Sequence, residues 1–312
     1  MIGAVDMANI KSYEEKKNKI NINNKLQKNF YEDKSLEKKN LGPYLAGLFE
    51  GDGHIQFSAG NNPLYPRSIL VGITFNLKDL PLCEHLKTFF LDDETRIRIK
   101  EKNNVCVLII NNKKGLIRFI KLVNGYLRSP KLYKFNQMIE LMNKKYKLSL
   151  SVSNYDLSSL DSNSWLAGFI DADGGFQIRY TDKKGSKFRI ASELRIEQRM
   201  IDVISQRSYN NLFTLIASFF NTKIYLTKHN NINYYMVKAS NKANLKIVLS
   251  YLDKYPLYSS KYLDCLSWSY TVNLLLNNKA YLADNRLKIL DLKNNMNNKR
   301  TKFNWDHLNK LR

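Results

Sequence analysis

Apolar residues run almost unbroken from Leu45 to Phe49, and after Gly53 the period drops to two, with Ile55 and Phe57 on one side and His54, Gln56 and Ser58 on the other. That switch predicts a buried helix feeding a strand with one wet face. Gly42-Pro43 suggests the helix start, since proline suits the first helical position. A Pro/Gly/Asn-rich turn at 60–66 leads to a strand at 68–76 and a helix at 80–90. Residues 95–100 alternate basic with β-branched side chains, Asn103-Asn104 turns the chain, and a strand at 105–110 closes the hairpin. Helices at 113–124 and 131–145 would cover the apolar side of these four strands. Residues 147–161 are Ser-rich and weakly periodic, as a linker would be.

The order then repeats. Gln177, Arg179 and Thr181 oppose Phe176, Ile178 and Tyr180, and Arg189, Glu193, Arg195 and Glu197 oppose Ile190, Leu194 and Ile196. Lys223, Tyr225 and Thr227 oppose Ile224 and Leu226, a strand at 234–239 closes the second hairpin, and a helix runs from Lys261 to about residue 277. Leu45–Gly53 returns as Leu166–Gly174, and Leu127-Arg128-Ser129-Pro130-Lys131 returns as Leu257-Tyr258-Ser259-Ser260-Lys261. The chain is thus an internal duplication, with the extra length of the second copy expected near 198–211. We expect an α+β fold in two halves, 41–146 and 162–312, joined by the linker at 147–161. A basic extension, 1–40, precedes them, and a basic tail with a short helical run at 284–292 ends the second half.

Each copy of the motif carries small residues four apart, Gly47 and Gly51 in the first, Gly168 and Ala172 in the second, so one face of each helix admits a close neighbour. Such packing would bring Asp52 and Asp173 together. Both acids precede a glycine able to take a left-handed capping conformation, at the negative end of the helix dipole. That placement calls for a compensating cation, most simply a metal.

Charge narrows the chemistry. The 312 residues hold 50 Lys+Arg against 28 Asp+Glu, a net +22, and the 44% hydrophobic content is that of a globular protein. An excess this large points to a polyanion, with nucleic acid the default partner. Cys83, Cys106 and Cys265 form no CxxC pair, and the four histidines no HxxxH, so neither a disulfide framework nor a zinc site is indicated. No apolar run reaches membrane-spanning length, and the N-terminus lacks a secretory pattern. Paired carboxylates in a basic protein suit metal-assisted phosphodiester hydrolysis, with Lys131 and Lys261 as candidates to stabilise transition-state charge. The polar strand faces offer His54, Gln56, Arg96, Arg98, Lys100, Gln177, Arg179, Arg189, Arg195, Lys223, Tyr225 and Lys228 to a DNA groove.

Leu45–Gly53 and Leu166–Gly174 resemble the two signature motifs of single-chain LAGLIDADG homing endonucleases, and the resemblance covers about residues 41–275. It implies two αββαββα half-domains related by a pseudo-twofold axis, whose saddle of antiparallel strands lies in the major groove of double-stranded DNA. The motif helices would form the interface and present Asp52 and Asp173 to divalent metal, Mg²⁺ first, with Mn²⁺ or Ca²⁺ able to take the site. It further implies cutting of both strands across the minor groove, leaving short 3′ overhangs at a long site, in the service of intron mobility. Lys131 and Lys261 carry over as the basic residues of the active site, and Gln56 and Gln177 as active-site or DNA contacts. Glu50 stands where the usual motif has Asp. The competing reading on the same fold is an intron RNA maturase, with intron RNA as partner. Both half-sites lie in one chain, so a monomer is expected. The Asn/Lys bias and the ending resemble intron-encoded members from fungal mitochondria, which sets mitochondria as the expected location.

Overall fold

The computed structural model describes residues 40–59, 66–90, 95–182 and 188–311. The expected N-terminal extension, up to Lys39, and most of the turn expected at 60–66 lie outside the described residues.

The first half runs α1 (Leu41–Asp52), β1 (Gly53–Ser58), β2 (Ser68–Asn76), α2 (Leu80–Thr88), β3 (Arg96–Lys100), β4 (Val105–Ile110), α3 (Lys113–Val123) and α4 (Lys131–Tyr146). The second runs α5 (Trp165–Asp173), β5 (Gly174–Thr181), β6 (Arg189–Arg199), α6 (Asn210–Phe219), β7 (Ile224–His229), β8 (Ile232–Ala239), α7 (Lys242–Lys254) and α8 (Lys261–Leu276), with α9 (Ala283–Asn294) beyond it. Each half holds one antiparallel four-stranded sheet, ordered β1-β2-β4-β3 and β5-β6-β8-β7. This is the α+β duplication expected from the sequence, with one helix more in the second half, α7, between the last strand and α8.

Alternation decides which face of each sheet is buried. Ile55, Ile69, Val71, Ile73, Phe75 and Leu108 turn inward with Phe119 and Phe135 from the helices, and Phe176, Ile178, Leu194, Ile196 and Val237 do the same in the second half. Side-chain caps start the helices that follow the sheets: Asn112 accepts from the Gly115 amide, and Asn241 with Asn244 forms a reciprocal capping box.

Two sequence expectations need correction in detail, and two segments prove tied down. Helix α1 starts at Leu41, ahead of the Gly42-Pro43 pair. Gly42 serves close approach instead, since a Cβ there would lie 2.3 Å from the Leu122 carbonyl oxygen. Only part of the second half's extra length sits between β6 and α6, where Ile201 and Ser208 pair as an isolated bridge; hairpin β5–β6 is also longer than its counterpart. The segment after α4 is tied down, with Arg128 donating to Asp156 Oδ2 at 2.6 Å and to the Ser158 carbonyl at 2.6 Å. The C-terminal stretch is a strap. Arg300 pairs with Asp264 of α8 at 2.9 Å, buried His307 bonds the Tyr258 carbonyl, and His85 of α2 bonds the Leu311 carbonyl at 3.0 Å.

Candidate active site

Helices α1 and α5 pack side by side with almost no side chain between them. A Cβ on Gly47 would lie 1.9 Å from the Trp165 carbonyl oxygen, and one on Gly168 would lie 1.9 Å from that of Tyr44. At the C-terminal ends, a Cβ on Gly51 would lie 2.1 Å from Ala172 Cβ and 3.2 Å from Asp173 Oδ2. Glycine and alanine four apart therefore let backbone meet backbone, and the two motif acids emerge at the same end of the pair.

Reciprocal clamps lock this arrangement. Glu50, fully buried, accepts from the Arg128 and Ser129 amides at 2.9 and 2.5 Å and from Trp165 Nε1 of the other motif helix at 2.7 Å. Asp171 does the same in mirror: it accepts from the Tyr258 and Ser259 amides at 2.7 and 3.1 Å, from Ser259 Oγ at 2.5 Å, and from the Tyr44 hydroxyl of the first motif helix at 2.8 Å. Burial pushes both carboxyls up, and these donors pull them back. The acid two positions before each motif Asp thus ties the partner helix to the loop that starts α4 or α8.

Those loops deliver the lysines. Lys131 Nζ donates to the carbonyls of Phe49, Gly51 and Gly53 at 3.3, 2.8 and 2.7 Å. Lys261 Nζ donates to those of Ile170 and Ala172 at 3.3 and 2.7 Å. Each ammonium sits at the negative end of a motif helix, so the compensating cation assigned from sequence to a metal is, for the dipoles, a lysine. Burial lowers the Lys131 pKa, while the charges of Asp173, Asp52 and Glu50 resist the change. The glycines after the acids are not left-handed: Gly53 and Gly174 are extended, at φ −88° and −86°. What requires glycine there is crowding by the helix, since a Cβ would lie 2.5 Å from the Phe49 carbonyl oxygen and 2.7 Å from that of Ile170.

The two acids share one electrostatic environment. Asp52 is open to solvent on one side and enclosed by protein on the others; Asp173 is half-buried. Burial, then the charge of Asp52, pushes Asp173 up to about 7 against the pull of Lys131 and Lys261. Burial likewise raises Asp52. Gln198 Nε2 donates to Asp173 Oδ2 at 2.8 Å, whereas register places Phe75 at the matching position of the first half. Asp79, buried on the link from β2 to α2, accepts from the Ser260 amide at 2.6 Å and so crosses to the other half beside Lys261. The matching Asp202 caps its own loop instead, accepting from the Ser205 amide at 2.7 Å and from Ser205 Oγ at 2.8 Å.

Two carboxylates at the ends of touching helices, one of them held up by burial and by the charge of the other, fit a hard divalent cation that prefers oxygen and keeps much of its own hydration. Among the described residues no group of three or more His, Cys, Asp or Glu gathers anywhere to hold a metal.

Most of the proposed groove readers share the open face of their sheets. Register puts His54 and Gln56 with Arg96, Arg98 and Lys100 in the first sheet, and Gln177, Arg179, Arg189, Arg195 and Tyr225 together in the second, with Lys223 just before edge strand β7. His54 lies over Gly72, where a Cβ would lie 2.4 Å from the ring; burial, Lys131 and Lys100 lower its pKa. Lys228 is the exception: alternation sets it with Ile224 and Leu226, opposite Asn233, on the other face. Gln198 and Asp79 were not singled out from sequence. The Asp79/Asp202 correspondence is a repeat signal that could have marked Asp79; Gln198 has no counterpart to mark it.

Comparison with known proteins agrees with this architecture. The model of the LAGLIDADG endonuclease family matches residues 45–142 and again 166–272. Intron-encoded DNA endonuclease aI3 of Saccharomyces cerevisiae is 32% identical, over 96% of this chain and 79% of the relative. A cox1 intron-2 protein of Schizosaccharomyces pombe is 31% identical, over 79% of this chain and 69% of its own length. The crystal structure of the LAGLIDADG homing endonuclease I-GzeII in complex with its DNA target superposes with a TM-score of 0.64 at 17% identity, covering 84% of this chain and all of that one. Two matches to one family model, each spanning one structural half, show that the chain belongs to the LAGLIDADG endonuclease family.

Proposed function

We propose that the protein is an intron-encoded, monomeric, site-specific double-strand DNA endonuclease that works with Mg²⁺ in mitochondria and promotes intron mobility. The observation that carries this reading is the meeting of Asp52 and Asp173 at the ends of two touching helices, between two basic sheet faces, with a lysine beside each. The sheets lie in the major groove on either side, and the acids face the two scissile phosphates across the minor groove. Asp52 and Asp173 would hold a divalent cation, which when bound would supply charge neutralisation at the scissile phosphate and a lowered pKa for an attacking water.

The chain's own residues do the rest. Lys131 has its three N–H groups on the carbonyls of Phe49, Gly51 and Gly53, and acts as a fixed positive charge beside the acids. Lys261 uses two and keeps one donor for the phosphate or the leaving oxygen. Gln198 holds Asp173 in one rotamer. Gln56 and His54 approach the first strand from β1, and Gln177 takes the matching place on β5.

The test is to offer a library of intron-insertion-like duplexes with Mg²⁺ to the parent, Asp52→Asn and Asp173→Asn. The parent should cut at one site, and each variant should bind that site without double-strand cleavage. Undiminished cutting by either variant would overturn the role given to the acids. Binding to structured intron RNA with no duplex cut would move the reading to an RNA maturase.

A further inference from the structure

The open face of the second sheet carries two carboxylates in a place meant for a polyanion. Glu193 and Glu197 stand four residues apart on β6, about 13 Å along the strand, on the face that also shows Gln177, Arg179, Arg195 and Tyr225. Phosphates repel such acids, and contact with DNA strips their hydration. A face shaped by charge alone would exclude them.

Each acid is instead the centre of a network. Arg179 Nη2 donates to Glu193 Oε1 at 2.9 Å, and Arg179 Nε donates to Gln177 Oε1 at 3.2 Å. Arg195 Nη2 donates to Glu197 Oε2 at 2.6 Å, while Thr227 Oγ1 donates to Glu197 Oε1 and His229 Nε2 lies 3.1 Å from that same oxygen. The two guanidinium side chains keep 56% and 41% of their surface exposed, against 9% and 20% for the carboxylates that hold them. The acids are therefore underneath, and the arginines present their free edges outward. In the first sheet, by contrast, Arg96, Arg98 and Lys100 share their face with no carboxylate among the described residues.

We propose that Glu193 and Glu197 set the base specificity of the second half, by holding Arg179 and Arg195 towards guanine edges and away from phosphates. The proposal rests on the duplex-DNA reading given above. An arginine already bonded to a carboxylate loses less side-chain freedom on meeting a base. Its remaining donors still form the planar fork that matches guanine O6 and N7. Released from the acid, the same side chain would reach for the nearest phosphate, a contact that carries no sequence information.

The parent, Glu193→Gln and Glu197→Gln are each taken through selection from a duplex library randomised across the target, with Ca²⁺ present, and the enriched sequences are compared position by position. Preference should fall at least about fivefold at the base pairs read by the second sheet and stay intact at those read by the first. Affinity for random duplex should rise, with a salt dependence steeper by about one phosphate contact per variant. Arg179→Lys and Arg195→Lys keep the charge and lose the fork, so they should lose preference at the same base pairs. Unchanged preferences in both glutamine variants, or a loss spread evenly over both halves of the target as a folding defect would give, overturns the proposal. A parent that enriches no duplex overturns the DNA reading beneath it.

Discussion

Replacing Gly47 by alanine tests whether helix contact, rather than the acids alone, builds the site. The new Cβ would lie 1.9 Å from the Trp165 carbonyl oxygen, 2.8 Å from the Phe169 nitrogen and 2.9 Å from the Trp165 carbonyl carbon. All three are main-chain atoms of a helix, so no rotamer change can clear them. Ordinary contact distances would require α1 and α5 to part by more than about 1 Å. Gly168→Ala meets the same obstacle from the other side, the Tyr44 oxygen at 1.9 Å and the Leu48 nitrogen at 2.8 Å. Overpacking of this kind costs about 1–3 kcal/mol, and more where backbone is the obstacle. Parting the helices also stretches the Trp165–Glu50 and Tyr44–Asp171 bonds and separates Asp52 from Asp173. A displacement of about 1 Å in reacting groups lowers rates about a hundredfold. Single-turnover cleavage at saturating duplex, with thermal unfolding alongside, should show that loss and a melting temperature several degrees lower. Gly175→Ala is the control for stability, because a Cβ there meets nothing within 4 Å. Parental cleavage and an unchanged melting temperature for Gly47→Ala would refute the argument.

The other predictions concern groups around that helix pair. Glu50→Ala leaves three donors, the Arg128 and Ser129 amides and Trp165 Nε1, without their acceptor; chemical denaturation should show a loss of about 3 kcal/mol or more. Lys131→Met uncovers the carbonyls at the end of α1, so it should lower both stability, by about 1–3 kcal/mol, and cleavage; a variant that melts as the parent does would contradict its bonding to Gly51 and Gly53. The native Asp173 carboxyl is pushed up to about 7 from an ordinary 3.8. Between those values the folded state binds more protons than the unfolded state, so without metal this group lowers stability as pH rises. Metal-free Asp173→Asn should therefore melt above the parent at pH 8, with the gap closing as the pH falls towards 4; a gap independent of pH would contradict the shift. Ca²⁺ binding to the parent, followed by calorimetry, should tighten as pH rises through 7, because the cation displaces that proton.

Much of the architecture can be read from residue order. The change from a continuous apolar run to alternation at Gly53 and again at Gly174 marks where helix becomes strand, and the strand bounds at Ser68–Asn76 and Val105–Ile110 fall where alternation puts them. Small residues four apart and two acids in register identify the helix pair and the end where its acids meet, because helix geometry turns sequence spacing directly into a face. Repetition adds the pseudo-twofold relation.

What stayed hidden depends on residues far apart in the chain. The roles of Glu50 and Asp171 come from amides 78 to 88 residues away and from an aromatic side chain on the opposite motif helix. No local pattern encodes such partners. The glycines after the acids looked like left-handed caps, and only the packed helix reveals them as extended residues with no room for a Cβ. Lys228 was expected on the groove face with the other polar strand residues, but strand register decides a face by single-residue steps, and it falls on the other side. The sequence called for a cation at each helix end, and the carbonyls there take Lys131 and Lys261, delivered by loops tied to Glu50 and Asp171. Residue order thus determined the elements, their duplication and the pairing of acids, all of which follow from periodicity. Tertiary structure decided which charges meet, since electrostatic partners are chosen by distance in space and burial, neither of which has a period.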